Sequence, residues 1–261
     1  MMDRRAFMTL AGAAGAAPLA GLNTIAHAEA EGVREFYELR RYQVDTEAQK
    51  AGLLAFLRHA AIPALNRIAI EPVGVFQPAE ELSPVYVLLP HRSLDSVATM
   101  TQRLSADEEF MSKGADFLNA PAASPAYARV ESSLLMAFTG MPRLEVPSKA
   151  ATRVFQLRTY ESPSVVTGQK KIEMFNTAEL AIFRNVGLNA VFFGEALVGE
   201  KMPNLTYMLA FDSMDEQKAA WKRFGADPDW QQLRAMPEYA DKEILCGITN
   251  LSLLPVEGSQ L

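Results

Sequence analysis

The sequence predicts an α+β fold in which two tandem βαββαβ units bring their sheets together as a barrel. Three observations predict it. Blocks of the chain recur in the same order at a shift of 118 to 120 residues. Each copy opens with a strand whose side chains alternate between apolar and polar. Each copy then reads helix, strand, strand, helix, strand, a succession that places helices on one face of an antiparallel sheet and leaves the other face to be covered.

Residues 1–28 stand outside the repeats. Arg4-Arg5 and Phe7 precede a nearly uncharged run from Thr9 to Leu22, and Ala26-His27-Ala28 supplies a small-x-small cleavage site, the three parts of a signal peptide. The paired arginines resemble the twin-arginine export motif. The expectation is cleavage after Ala28 and a periplasmic or secreted product, because the apolar run is shorter than the roughly 20 residues a membrane span needs and Pro18 interrupts it. No stable membrane insertion is expected.

The first unit spans 33–140. Tyr37 and Leu39 alternate with Glu38, Arg40 and Tyr42, the period of a strand with unlike faces. Thr46 and Gln49 have capping-box spacing and open a helix carrying Leu53, Leu54, Leu57, Ala61, Ala64, Leu65 and Ile68, which Pro63 should kink or end. Val73–Phe76 and Val85–Leu89 are short apolar runs bounded by Pro and Gly, hence strands, and a second helix covers Leu94–Leu104. The Pro-rich stretch 141–152 lacks periodicity and reads as a linker. In the second unit, 153–256, Leu157, Arg158 and Tyr160 repeat Leu39, Arg40 and Tyr42. Ile172, Phe175, Ile182, Phe183 and Val186 form its first helix face, Ala190–Phe193 and Thr206–Phe211 its middle strands, and Met214–Phe224 its second helix. Ser93-Leu94-Asp95 matches Ser213-Met214-Asp215 at a shift of 120, so a loop has gained two residues.

Counting residue types narrows the chemistry. With 31 acidic against 25 basic residues and no Lys/Arg block, nothing offers a surface for nucleic acid. Only His59 and His91 remain once the signal is removed, and Cys246 is the single cysteine, so a multi-ligand metal site is not expected and no cofactor is assigned, though one proximal His would suffice for haem. His91 is expected on the surface and Cys246 as a small core residue of a buried strand. Gly-x-Ser-x-Gly and Walker-type loops are absent from the sequence.

The candidate site is the polar face of the two opening strands: Glu38, Arg40 and Tyr42 with Gln156, Arg158 and Tyr160. If Leu39 and Leu157 point towards the helices, these six turn into the barrel lumen. There Arg supplies a fixed planar cation and Tyr a hydroxyl on an apolar ring, a set suited to an anionic or phenolic small molecule. The structural alternative is that the arginines pair with carboxylates such as Glu38 between the sheets. Trp221, Trp230, Phe183, Phe192, Phe193 and Phe224 either line an apolar pocket or fill the core.

Tyr37-Glu38-Leu39-Arg40-Arg41-Tyr42, Phe155-Gln156-Leu157-Arg158-Thr159-Tyr160, Val191-Phe192-Phe193-Gly194 and Asp227-Pro228-Asp229-Trp230 resemble the NIPSNAP family. The first unit departs from it, with Asp107-Glu108-Glu109-Phe110 in place of the Asp-Pro-x-Trp turn. The resemblance implies two ferredoxin-like units forming a pseudo-dimer of the dimeric α/β-barrel type, with Trp230 added to the candidate ligand residues, and implies no established reaction. The wider superfamily includes cofactor-free monooxygenases and haem enzymes. Three functions therefore stand: a binder of a small anionic or phenolic ligand in the barrel; a cofactor-free oxygenase or isomerase using Tyr42 or Tyr160 as acid or base; and a non-catalytic assembly protein, with homo-oligomerisation left open.

Overall fold

The computed structural model describes residues 33–79 and 81–261. The expected export signal lies outside these residues. The first repeat consists of β1 (Phe36–Gln43), α1 (Glu47–Phe56), a π turn (Leu57–Ala61), α2 (Ile62–Arg67), β2 (Gly74–Pro78), β3 (Val85–His91), α3 (Leu94–Ser105), α4 (Glu108–Lys113), α5 (Ala115–Leu118) and β4 (Arg129–Ala137). The second follows the same order: β5 (Val154–Glu161), α6 (Val165–Met174), a π turn (Phe175–Glu179), α7 (Leu180–Val186), β6 (Asn189–Val198), β7 (Asn204–Phe211), α8 (Met214–Ala226), α9 (Pro228–Arg234), a 3₁₀ turn (Pro237–Tyr239), α10 (Asp241–Ile244) and β8 (Gly247–Pro255).

The helices begin where the sequence offers caps. Thr46, Ser93, Ser164 and Ser213 each accept a hydrogen bond from a first-turn backbone N–H, and Asp107 and Asp227 do the same for α4 and α9. Both repeats interrupt the first helix with a π turn at the equivalent place. Pro63 follows the turn in the first repeat, but the second has Ala181 there and the same turn, so proline is not its cause.

All eight strands pair antiparallel in one closed barrel, in the order β1-β3-β2-β8-β5-β7-β6-β4. Within each repeat the strands run fourth, first, third, second. Left alone, each sheet would expose its second and fourth strands as edges. The repeats remove these edges reciprocally: β2 pairs with β8 (Phe76↔Pro255) and β4 with β6 (Ala137↔Gly194). At the latter seam a Cβ on Gly194 would sit 2.8 Å from Leu135 Cβ, so the close approach needs glycine.

Three apolar cores result. One fills the barrel with Tyr37, Phe76, Leu88, Phe155, Leu157, Phe192, Met208 and their neighbours, as an eight-strand barrel allows. The other two lie between the sheet and the helices of each repeat. The chain beyond Pro255 completes the barrel: Gln260 donates its backbone N–H to Val73, and Leu261 enters the interior.

The strand alternation is as expected, but its facing is reversed. Tyr37, Leu39, Phe155 and Leu157 point into the barrel, whereas Tyr42 and Tyr160 join the cores under the helices. The polar face was assigned to the lumen on the premise that only the helix side is apolar. Both faces of β1 and β5 are buried, and polarity does not tell them apart. Two further expectations are corrected. His91 is fully buried, its Nδ1 3.0 Å from Ser96 Oγ and its Nε2 3.7 Å from Glu38. Cys246 is exposed, in the bend before β8, because the outer face of β8 has no helix over it.

Candidate functional site

Under the helices of the first repeat, Glu38 and Arg40 form a saturated ion pair. Arg40 donates from Nε at 2.7 Å and from its terminal nitrogen at 3.1 Å, and Ser132 Oγ donates at 2.7 Å to the same carboxylate. Burial pushes the Glu38 carboxyl up, but the nearby His91 ring and the hydrogen bonds from Arg40 and Ser132 prevail and hold it at about 2. Arg40 thus pairs with Glu38, but beneath the helices and not between the sheets. Tyr42 sits edge-on to Tyr127 in the apolar core nearby.

The second repeat places different chemistry on the same frame. Gln156 stands where Glu38 does, so Arg158 has no carboxylate. Its guanidinium stacks over Trp221 at 4.8 Å and donates to the Tyr160 hydroxyl at 3.0 Å. Its buried Nε has no partner. Tyr160 in turn bonds the hydroxyl of Tyr207, 2.9 Å away on β7 in register with Arg158. Gln156 is fixed from both sides, accepting from Trp221 Nε1 at 2.6 Å and donating to Asn250 on the exposed face of β8 at 2.8 Å. Arg158 and Trp221 are partly exposed, beside the exposed Asn250.

Deeper in lies a buried ion pair. Lys171 of α6 and Glu179 of the π turn are 3.3 Å apart, with 1% and 2% of their surfaces exposed. The Lys171 ammonium also packs over the rings of Phe175 (5.1 Å), Tyr160 (5.6 Å) and Trp230 (6.0 Å), and Asp241 of α10 approaches it to 3.6 Å. Burial pushes the Glu179 carboxyl up to about 7, Lys171 opposing it. Burial also drives the Tyr207 hydroxyl well above its ordinary value.

The repeat itself shows which of these groups the fold needs. The helices and π turns superimpose in sequence at a shift of 118, so Lys171 and Glu179 correspond to Leu53 and Ala61, both buried in an apolar core. Strand register matches Tyr207 to Val87, and the caps Asp107 and Asp227 match Trp230 to Phe110. One copy folds with Leu, Ala, Val and Phe at these places, so the other's Lys, Glu, Tyr and Trp are not required by the architecture.

Of the seven residues expected from sequence, Gln156, Arg158, Tyr160 and Trp230 come together here. Glu38, Arg40 and Tyr42 lie apart from them, in the first repeat. Sequence reasoning missed Lys171, Glu179 and Tyr207. The signal for Lys171 and Glu179 was present: at a shift of 118, charged residues replace apolar ones on an otherwise apolar helix face. The barrel lumen has a small cavity at one mouth, about 150 Å³, lined by Leu39, Leu157 and Leu251 together with Arg41 and Glu131. None of the seven lines it. Among the described residues no cluster of three His, Cys, Asp or Glu side chains could hold a metal, and no helix is long and apolar enough to cross a membrane.

Fold and site together define a two-repeat α+β barrel protein whose second repeat carries a polar cluster beneath its helices. The NIPSNAP family model matches residues 37–137 and 155–260, and the chain belongs to that family. Among solved structures, a protein of Fusobacterium nucleatum provisionally called a monooxygenase is similar over 86% of this chain and 94% of its own, with a TM-score of 0.59 at 6% identity. Another so called, from Lactobacillus acidophilus, gives 0.54 at 8% identity over 85% and 94%. A NIPSNAP-like domain protein from Burkholderia xenovorans matches 42% of this chain with 90% of its own, at 16% identity and a TM-score of 0.38. At such identities the likeness shows the fold alone. No curated protein matches the chain.

Proposed function

We propose that the protein binds a small anionic or phenolic organic molecule in the space between the sheet and the helices of its second repeat. Arg158 anchors it, and the edge of Trp221 and the Tyr160–Tyr207 hydroxyl pair orient it. The single observation that carries this reading is the contrast between the arginines: Arg40 is neutralised by Glu38, while Arg158, equivalent in the fold, has no carboxylate and a buried unsatisfied Nε. A partly buried guanidinium without a counter-ion favours an incoming anion. The ligand moves from the barrel lumen, where it was expected, to the helix side. In this reading the repeats are ferredoxin-like units forming a pseudo-dimer, and the protein acts after export.

Mass spectrometry of protein purified through its native export route tests the proposal. A small acid or phenol should travel with the wild type and be lost from a folded Arg158→Gln variant. A ligand kept by that variant refutes the site.

A second reading, cofactor-free oxygenation or isomerisation, is favoured by the Tyr160–Tyr207 pair beside Arg158, and is in keeping with the neighbours provisionally called monooxygenases. Tyr160, whose hydroxyl is bonded to Arg158 and Tyr207, rather than Tyr42, would move the proton. Oxygen consumption with hydroxyaromatic compounds that persists unchanged in Tyr160→Phe would sink it.

A further inference from the structure

Lys171 and Glu179 are buried ionisable groups for which the first repeat has no use, since Leu53 and Ala61 pack the equivalent places. A buried ion pair is weak support for stability, because taking both charges out of water offsets most of their attraction. Their position is informative. The Lys171 ammonium that pairs with Glu179 packs over the ring of Tyr160, whose hydroxyl is bonded to both Arg158 and Tyr207, the groups assigned to ligand binding.

We propose that this site takes up an anionic aromatic ligand together with one proton, the anion resting on Arg158 and the proton on Glu179. The inference rests on the reading of Arg158 as an anion anchor. The charges around Glu179 determine the sign. Lys171 from α6 and Arg158 from β5 favour its carboxylate, whereas burial and Asp241 from α10 favour its acid form. The hydroxyls of Tyr160 and Tyr207 come from β5 and β7. Glu173 of α6 is engaged with Lys170 and Tyr239, and α9 presents the uncharged ring of Trp230, with Arg234 over it. An anion on Arg158 brings one negative charge and so cancels one of the two cations favouring the carboxylate. Glu179 then takes a proton from water and the cluster keeps its net charge. The balance already lies near neutrality, where a small change in field decides it.

The probe is 4-hydroxybenzoate, whose carboxylate stays ionised throughout the range used. Calorimetric titrations of the full chain at about pH 6 and about pH 8, in buffers of different ionisation heat, read affinity and proton uptake together. Wild type should bind about fivefold more weakly at the higher pH and take up about half a proton per ligand near neutrality, where Glu179 is already about half protonated, as a bound anion that raises the carboxyl's proton affinity about tenfold at an effective dielectric of about 20 requires. Glu179→Gln should bind equally at both pH values, without proton uptake. Infrared difference spectra of the wild type should gain a protonated carboxyl band on adding the probe, a readout that needs no variant. Tight binding that is independent of pH, or a pH slope kept by Glu179→Gln, overturns the coupling alone. Absence of binding at either pH, or binding untouched by Arg158→Gln, overturns the anion site as well.

Discussion

Replacing the Lys171–Glu179 pair with apolar side chains of similar size, Lys171→Met with Glu179→Leu, is expected to leave the fold intact and make it more stable at neutral pH. The first repeat supports the direction, since it packs Leu53 and Ala61 at these positions. The magnitude follows from Glu179. Its carboxyl rises from an ordinary 4.5 to about 7 in the folded protein, so the folded state holds a proton that the unfolded chain has released. That stabilisation is fully present below about pH 4.5 and is lost as pH rises through about 7, a decline of up to about 3 kcal/mol. The double variant should lack this slope and lie above wild type by about 1–3 kcal/mol at pH 8. Lys171→Met alone leaves a buried carboxylate unpaired and should cost about 3 kcal/mol at pH 8, much less at pH 5, where Glu179 is protonated. Urea unfolding followed by tryptophan fluorescence across this range measures all three. A double variant no more stable than Lys171→Met would refute the reasoning, because the pair would then be holding the structure.

Glu38→Gln leaves the partly exposed Arg40 guanidinium without its counter-ion and should cost about 2 kcal/mol at pH 7, whereas Arg158→Met, with no carboxylate partner to strand, should cost roughly 1 kcal/mol. Because the Glu38 carboxyl is depressed to about 2, its contribution is present above about pH 4.5 and disappears as pH falls towards 2, which acid unfolding of the wild type will show as a slope missing from Glu38→Gln. Tyr37→Phe should be neutral or stabilising by about 1 kcal/mol in urea titrations, since the fully buried Tyr37 hydroxyl has no hydrogen-bond partner. Gly187 ends α7 with φ of 79°, and Gly187→Ala should lower stability by about 1 kcal/mol, measured by thermal unfolding.

Much of this protein was legible in its sequence because repetition amplifies weak signals. A single run such as Leu39-Arg40-Arg41-Tyr42 is an ordinary strand, but its recurrence at 157–160 fixed the strand, its alternation and the order of everything after it. Periodicity within each copy then gave the element types. These are local properties, and local chain geometry is what sequence periods encode.

The direction each face takes was decided by the tertiary structure. β1 and β5 lie between two cores, so Leu157 and Arg158 are both enclosed, and only closure of the barrel shows that the leucine goes inward and the arginine towards the helices. The same closure buried His91 against Glu38 and left Cys246 outside on an uncovered strand. The site also depended on it. Lys171, Glu179 and Tyr207 lie on three different elements, and their meeting beneath Arg158 is a property of helix packing over the sheet, which no spacing along the chain expresses. The sequence determined that one unit is used twice; packing of helices over each sheet determined that the first closes Glu38 on Arg40, while the second leaves Arg158 without a carboxylate and encloses Lys171 with Glu179.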